Sequence, residues 1–489
     1  METIYAPEII CSGAQKRDIW FETSRYTWLR TSTDVYARII LKSRSQGEEE
    51  IITIFTRNFI YDKNRTYHIE HTGIQLYATP LFSMTKEPLM VVRHHTRAVL
   101  LSLRPLLCFR VLLLLSSLPT ISQAQITLDG SLGPRGALRG PNYTISDRMG
   151  QIRGPNLFHS FGQFNLPKGE SATFTGPNTI TNILSRVTGG SPSSIDGTIR
   201  SQIPRANFYL LNPSGVMFGP NTSLDVSGSF HVSTADYLRL SDGATFSAHP
   251  AVPTVLSVAP PAAFGFLGPT PAPISIQGSA LQVPAGQTVS VIGGDIEIVG
   301  GMLVASGGRL NLASVATAGE VGMNPADPTA PLQVGRFAAL GQIHLVDAQL
   351  DVSGIRGGTV VLRGGRLMLD NTSIAADTQG DVHGARVSID IGVTADAVVT
   401  NGSLLTADVG GAGNAGSIRI AADSLKVSQA SLIRSQSAAD TTGDVGHIDI
   451  TARLMQVTDG SQVSGDTHGA GWGCHGAGER GADHHRARC

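Results

Sequence analysis

From residue 125 onward, apolar and polar residues alternate in short bursts separated by turn-forming residues. Four stretches share one design: GDIEIVGGMLVASGGRLNLAS (294–314), GTVVLRGGRLMLDNTSIAADT (358–378), GSIRIAADSLKVSQASLIRSQS (416–437) and GHIDITARLMQVTDGSQVSGD (446–466). Each opens on glycine, alternates for a short strand, turns, and alternates again. A period of two sets Ile418 and Ile420, or Val360 and Leu362, on one face of a strand while their neighbours face away. Strands this short do not fold alone. The starts at 416 and 446, with Ala385 of ARVSIDI a similar distance upstream, give a repeat in the solenoid range. Stacking the repeats aligns Ile, Leu and Val in columns, so the pattern predicts an all-β fold, a parallel β-helix. No 3.6-residue period of useful length runs through 125–470. Gly, Asn, Asp and Ser cluster where corners must turn, and these residues supply positive φ or local backbone hydrogen bonds.

Composition marks where this pattern starts and stops. Of 56 glycines, all but three follow residue 124, and 125–470 contains no cysteine. The four cysteines are Cys11, Cys108, Cys474 and Cys489, and the tryptophans are Trp20, Trp28 and Trp472. Net charge is −1, so no global basic field points to nucleic acid.

At the junction, MVVRHHTRAVLLSLRPLLCFRVLLLLSSLPTISQA (90–124) reads as a secretory signal peptide. Arg93, Arg97, Arg104 and Arg110 form the basic region, 111–118 the apolar stretch, and Ser122-Gln123-Ala124 a small-x-small cleavage signal ending at Ala124. The arginines and Pro105 interrupt the run well short of a membrane span. Because such a peptide must open the chain to be read, translation is expected to begin at Met90, with 1–89 arising from a misplaced start. Beyond residue 470 the pattern collapses into GWGCHGAGERGADHHRARC. The Cys and His spacing there fits no standard zinc arrangement, and a frameshift over 471–489 is the expectation.

Chemistry is sparse between these breaks. Gly411 to Gly416 match G-x-G-x-x-G, but the strand-like SIRIAA follows where a phosphate-binding loop requires a helix. Asp370, Asp377, Asp381 and Asp390 are candidates for carboxylate catalysis, yet they lie among glycines as solvated corner residues do. His159, between apolar residues and away from other ligand types, reads as structural. Neither a cofactor nor a metal is expected, and the expectation is a non-enzyme.

Residues 156–240 then become recognisable. Phe158-His159-Ser160-Phe161, NILSRVTGG (182–190), IDG (195–197), NPSGVMFGP (212–220) and STADYL (233–238) together resemble the N-terminal secretion domain of filamentous-haemagglutinin-like exoproteins, the two-partner secretion family. The resemblance is close over 125–270, and the repeats to 470 are similar to the shaft of such proteins. It implies a right-handed parallel β-helix with N-terminal capping strands. It also implies export to the periplasm, recognition by a dedicated outer-membrane β-barrel transporter, and delivery to the cell surface of a Gram-negative-type bacterium. A cysteine-free chain suits that route, since a periplasmic disulfide would lock a chain that must pass unfolded.

Two departures from the family are visible. Its Asn-Pro-Asn-Gly turn is here Asn212-Pro213-Ser214-Gly215, and its Asn-Pro-Asn-Leu motif survives only as Gly154-Pro155-Asn156-Leu157. The expected secretion-motif residues are Asn182, Arg186, Gly189, Gly190, Asn212, Pro213, Ser214 and Gly215. The function expected is a secreted adhesin displaying a surface toward host or surface glycans or proteins. Its rivals are a β-helix carbohydrate-active lyase or hydrolase, and the truncated front end of a contact-dependent toxin or haemolysin.

Overall fold

A computed structural model of the chain describes residues 125–467 apart from 253, 325–329, 331 and 335–336, together with backbone strands within 3–78 and at 485–488. The upstream unit, Met1–Ser116, is described by its strands alone: Val35–Ser45 pairs antiparallel with Ser24–Arg30 and with Glu48–Arg57. The expected signal peptide, its Ala124 cleavage point, and most of the 471–489 tail fall outside the described residues.

Between residues 142 and 467 the described residues form a stack of three-sided coils. One coil runs Asn182–Val187, Ser193–Ile195 and Thr198–Ser201; the next runs Asn207–Leu211, Val216–Phe218 and Ser223–Asp225. Each strand pairs in parallel with its equivalent one coil later. The outcome is the expected parallel β-helix, and its interior consists of columns. Leu157, Ile183, Phe208, Phe230, Val289, Leu310, Val360, Ile389, Ile418 and Ile448 stand in successive register, each at most 2% exposed. Burying one such side chain contributes roughly 1.5–3 kcal/mol, so stability accrues coil by coil. Phe208 and Phe230 lie parallel within this column, ring centres 5.8 Å apart.

One corner repeats a single backbone solution. The residue that follows the second side of each coil is left-handed in Gly278, Gly300, Asp347, Asn371, Asn401, Gln429 and Asp459, with φ between 47° and 63°. Asn and Asp tolerate this conformation better than other side-chain-bearing residues, which explains their recurrence here. The N–H of Gly278, Gly300, Asp347 and Asn371 each donates to the carbonyl of the residue preceding the next corner, locking coil to coil. Asn371 and Asn401 also donate their side-chain amides to Asp347 and Asp370.

Antiparallel strands close the start of the stack. Ile126–Asp129 pairs antiparallel with Asn156–Phe164 and with Arg135–Ala137, and Gln151–Arg153 also runs antiparallel to Asn156–Phe164. These are the capping strands anticipated from the sequence.

Two insertions interrupt the coils, and the sequence pattern did not foretell them. The first leaves after Phe230–Ser233 and contributes Tyr237–Leu240, Thr245–Ser247 and Pro261–Phe266; the second leaves after Arg309–Ser314 and contributes Gly319–Gly322. Together they form one four-stranded antiparallel sheet outside the helix. Glu320 joins them, accepting from Tyr237 Oη at 2.9 Å and Arg239 Nε at 3.0 Å. A second apolar core lies beneath this sheet, where Leu238, Phe246 and Phe264 pack with Phe158, Leu184, Tyr209, Leu211, Ile292 and Ala313. Strand Asn182–Val187 is therefore buried along its whole length, not on alternate residues.

Candidate functional site

The turn 212–215 stands between Asn207–Leu211 and Val216–Phe218. Gly215 N–H donates to the Asn212 carbonyl at 3.0 Å, closing a β-turn with Pro213 at its second position. Ser214 N–H donates to Asn212 Oδ1 at 3.0 Å. Gly215 has φ +114°, a conformation that side-chain-bearing residues rarely adopt.

Asn212 is completely buried, and it reaches beyond its own turn. Its Nδ2 donates at 3.0 Å to the Ser191 carbonyl and to Ser193 Oγ, one coil earlier. Its backbone N–H donates to Ser233, one coil later. A single side chain with its backbone thus ties three coils together. Ser214, standing where the family commonly has Asn, contributes its backbone N–H to this arrangement, which explains how the replacement leaves the turn intact.

Gly189 and Gly190 lead directly into Ser191. A Cβ on Gly189 would come within 1.9 Å of the Gly162 carbonyl, and Gly190 is left-handed at φ +75°. Glycine is required at both positions, the first by close approach of the preceding coil and the second by conformation.

Asn182 belongs to a ladder of amides across three coils. Its Nδ2 donates to Asn156 Oδ1 at 2.9 Å, and Asn207 Nδ2 donates to Asn182 Oδ1 at 3.3 Å, the three residues standing in register. Asn156 in turn donates to the carbonyls of Ser257 and Ala259 in the first insertion. The altered motif around Gly154-Pro155-Asn156-Leu157 therefore keeps its buried asparagine in structural use.

Arg186 is 3% exposed, and among the described residues it reaches a carboxylate only through hydroxyls. Nε donates to Ser160 Oγ at 2.8 Å and Nη2 to Ser131 Oγ at 3.0 Å. Those hydroxyls donate onward to the two carboxylate oxygens of Asp129, at 2.6 and 2.8 Å. Nη1 donates to Thr254 Oγ1 at 2.7 Å and to the Ser247 carbonyl, and the guanidinium lies 4.8 Å from the Phe246 ring centre. Burial lowers the Arg186 pKa while the Asp129 charge opposes it. Burial alone would raise the Asp129 pKa, but hydrogen bonds from Ser160, Ser131 and Thr188 hold it below the usual carboxylate value. Beside this network a cavity of about 580 Å³ opens among Thr127, Asp129, Arg135, Gly162, Thr188, Gly189 and Pro250.

The structure gathers the residues singled out from the sequence into two neighbouring features. Gly189 and Gly190 lead into the segment that Asn212 clasps, while Asn182 and Arg186 share one buried strand, Arg186 bonding the first insertion directly and Asn182 through Asn156. Sequence reasoning missed Asp129 and Ser131 and the role of Ser160, because Arg186, which joins them, lies tens of residues away from each. The signal that could have revealed a covered outer face is the unbroken apolar character of NFYLL and AAFGF.

One expectation about the aspartates is corrected. Asp390 is not a solvated corner residue: it lies within Val387–Val393, its side chain is 13% exposed, and it pairs with Arg363 at 2.6 Å. Asp370 accepts from Asn401, Asp377 from the Asp408 N–H and Asp381 from the Ala412 N–H. Gly411 to Gly416 form a corner leading into strand Ser417–Val427, with no helix after it. His159 is buried, and burial pushes its pKa down to about 4 against a smaller pull from the Met149 backbone.

One similarity to known proteins, that of the family model, falls on this same region. No curated protein matches the sequence. Among solved structures, the HMW1 secretion domain from Haemophilus influenzae is 17% identical, the alignment covering 70% of this chain and 97% of that one at a TM-score of 0.38. The filamentous hemagglutinin secretion domain is 14% identical, with 70% and 98% covered and a TM-score of 0.25. The family model of the TPS secretion domain matches residues 124–334, which hold the capping strands, the Asn212 turn, the Asn182 ladder, the Arg186 network and the first insertion. Residues 124–334 of this chain are a two-partner secretion domain.

Proposed function

We propose that the chain is a secreted adhesin of the haemagglutinin-like exoprotein class, whose domain 124–334 addresses it to an outer-membrane β-barrel transporter of the two-partner type. The observation that carries this reading is the match of a secretion-domain family over 124–334. Such domains belong to exoproteins that cross the outer membrane. The transporter recognises the region built around Asn182, Arg186, Gly189, Gly190 and the turn Asn212 to Gly215. Coils beyond that region extend the stack as a shaft, and its outer faces are the surface offered to glycans or proteins on host or neighbouring cells. The protein acts by recognition and stacking, without a catalytic step.

Co-expression with the cognate transporter tests the address. The full chain should reach the surface or medium only when the transporter is present, and accumulate in the periplasm without it. Export independent of the transporter overturns the proposal, as does cleavage of polysaccharide by the purified chain.

A further inference from the structure

The first insertion does more than cover a strand face. After Thr245–Ser247 it runs back as a strap, described over residues 247–252 and 254–260, across the opening coils. Two buried polar side chains hold it from below. Arg186 Nη1 donates to the Ser247 carbonyl and to Thr254 Oγ1, and Asn156 Nδ2 donates to the carbonyls of Ser257 and Ala259. The near half of the strap therefore rests on a guanidinium and the far half on an amide.

A buried guanidinium needs a counter-charge, because removing one member of a buried pair leaves the other uncompensated. Here the counter-charge comes from Asp129, on the capping strand Ile126–Asp129, more than a hundred residues upstream of the strap. It arrives through two hydroxyls: Ser160 and Ser131 each accept from Arg186 and donate to Asp129. Asp129 makes none of its hydrogen bonds to the strap itself; its partners are Ser131, Ser160 and Thr188.

We propose that Asp129, Ser131, Ser160 and Arg186 form a latch through which seating of the N-terminal capping strand controls seating of the strap. With the cap in place, Arg186 is neutralised and oriented, its Nη1 faces the strap, and residues 247–255 close over the first coils. With the cap absent, burying Arg186 beneath the strap is unfavourable and the near half stays open. The Asn156 side chain is held by Asn182 and does not pair with the strand Ile126–Asp129, so the far half near Ser257 is less dependent on that strand.

Amide hydrogen exchange on the full chain tests the latch with Asp129→Asn, which keeps the shape and removes the charge. Exchange in peptides covering 247–255 should accelerate roughly tenfold or more, while the distant coils at 359–467 keep wild-type protection. Faster exchange confined to 126–137, with the strap protected as in wild type, overturns the proposal. If Asp129→Asn does not fold, Ser160→Ala removes one bridging hydroxyl and should give a smaller acceleration of the same segment. A strap unaffected by Ser160→Ala then overturns it equally.

Discussion

His159 and Ser185 occupy facing positions of adjacent coils in one interior column, and the buried Ser185 hydroxyl has no hydrogen-bond partner. Farther along, the same column becomes Leu210, Val232, Val291 and Leu312. The first coils thus carry polar groups where the later ones carry only aliphatic side chains. Replacing Ser185 by Ala removes an unpartnered buried hydroxyl with little change of volume. Ser185→Ala should stabilise these coils by about 1 kcal/mol in denaturant titration; a loss of stability would show that the hydroxyl is satisfied in solution.

Acid should weaken the same region. Burial lowers the pKa of His159 to about 4 and of His231 to about 3, from an ordinary value of 6.5. A depressed histidine pKa means that the unfolded chain takes up protons before the folded one. Its contribution is complete above pH 6.5 and declines as pH falls toward the folded value, reaching a loss of roughly 2 kcal/mol per histidine at pH 5. Thermal unfolding at pH 7 and pH 5 should show this drop. His159→Phe, with Phe161 and Phe174 as ring neighbours, should reduce the drop by about half whatever its effect at pH 7.

Asn212→Ala removes both Nδ2 donors and the acceptor for Ser214, leaving the buried Ser193 hydroxyl without that bond. The variant should lose about 2–4 kcal/mol locally. Surface export should fall while precursor remains detectable in the periplasm by immunoblot. Asn212→Asp keeps the acceptor for Ser214 but not the donors, and should retain intermediate export. Unchanged export of Asn212→Ala would reduce the turn to ordinary loop chemistry.

The left-handed corner makes a sharper conformational prediction. Asn371 holds φ 47° and donates to Asp347. Asn371→Val imposes a β-branched side chain on that conformation and should cost about 2 kcal/mol, whereas Asn371→Gly should lie close to wild type. Equal effects of the two substitutions on thermal unfolding would place the importance of Asn371 in its side-chain bond instead.

What the sequence reveals depends on how local the cause is. Ile418 and Ile420 point inward as their spacing requires, because one face of that strand is solvent and the other is core. The Asn212 turn was equally legible, since proline, serine and glycine act on neighbouring backbone. Arg186 was visible as part of a motif, but its role was not. Its partners Ser247 and Thr254 become neighbours only when an insertion folds back over the coils, Ser160 only when adjacent coils pair, and Ser131 only when the capping strand is seated. Leu184 and Tyr209 broke the expected alternation for the same reason. Asp390 was misread because its neutralising partner, Arg363, lies one coil away.

The four-stranded sheet outside the helix has an architectural consequence. Its strands Pro261–Phe266 and Gly319–Gly322 come from different coils, yet they pair directly. The sheet therefore works as a fixed-length brace across the intervening coils. Adding or removing a coil between Ser233 and Ser314 would carry its two anchor points apart or together and break the pairing. Beyond residue 340 no such brace exists among the described residues, so that is the part of the molecule whose length can be changed one coil at a time.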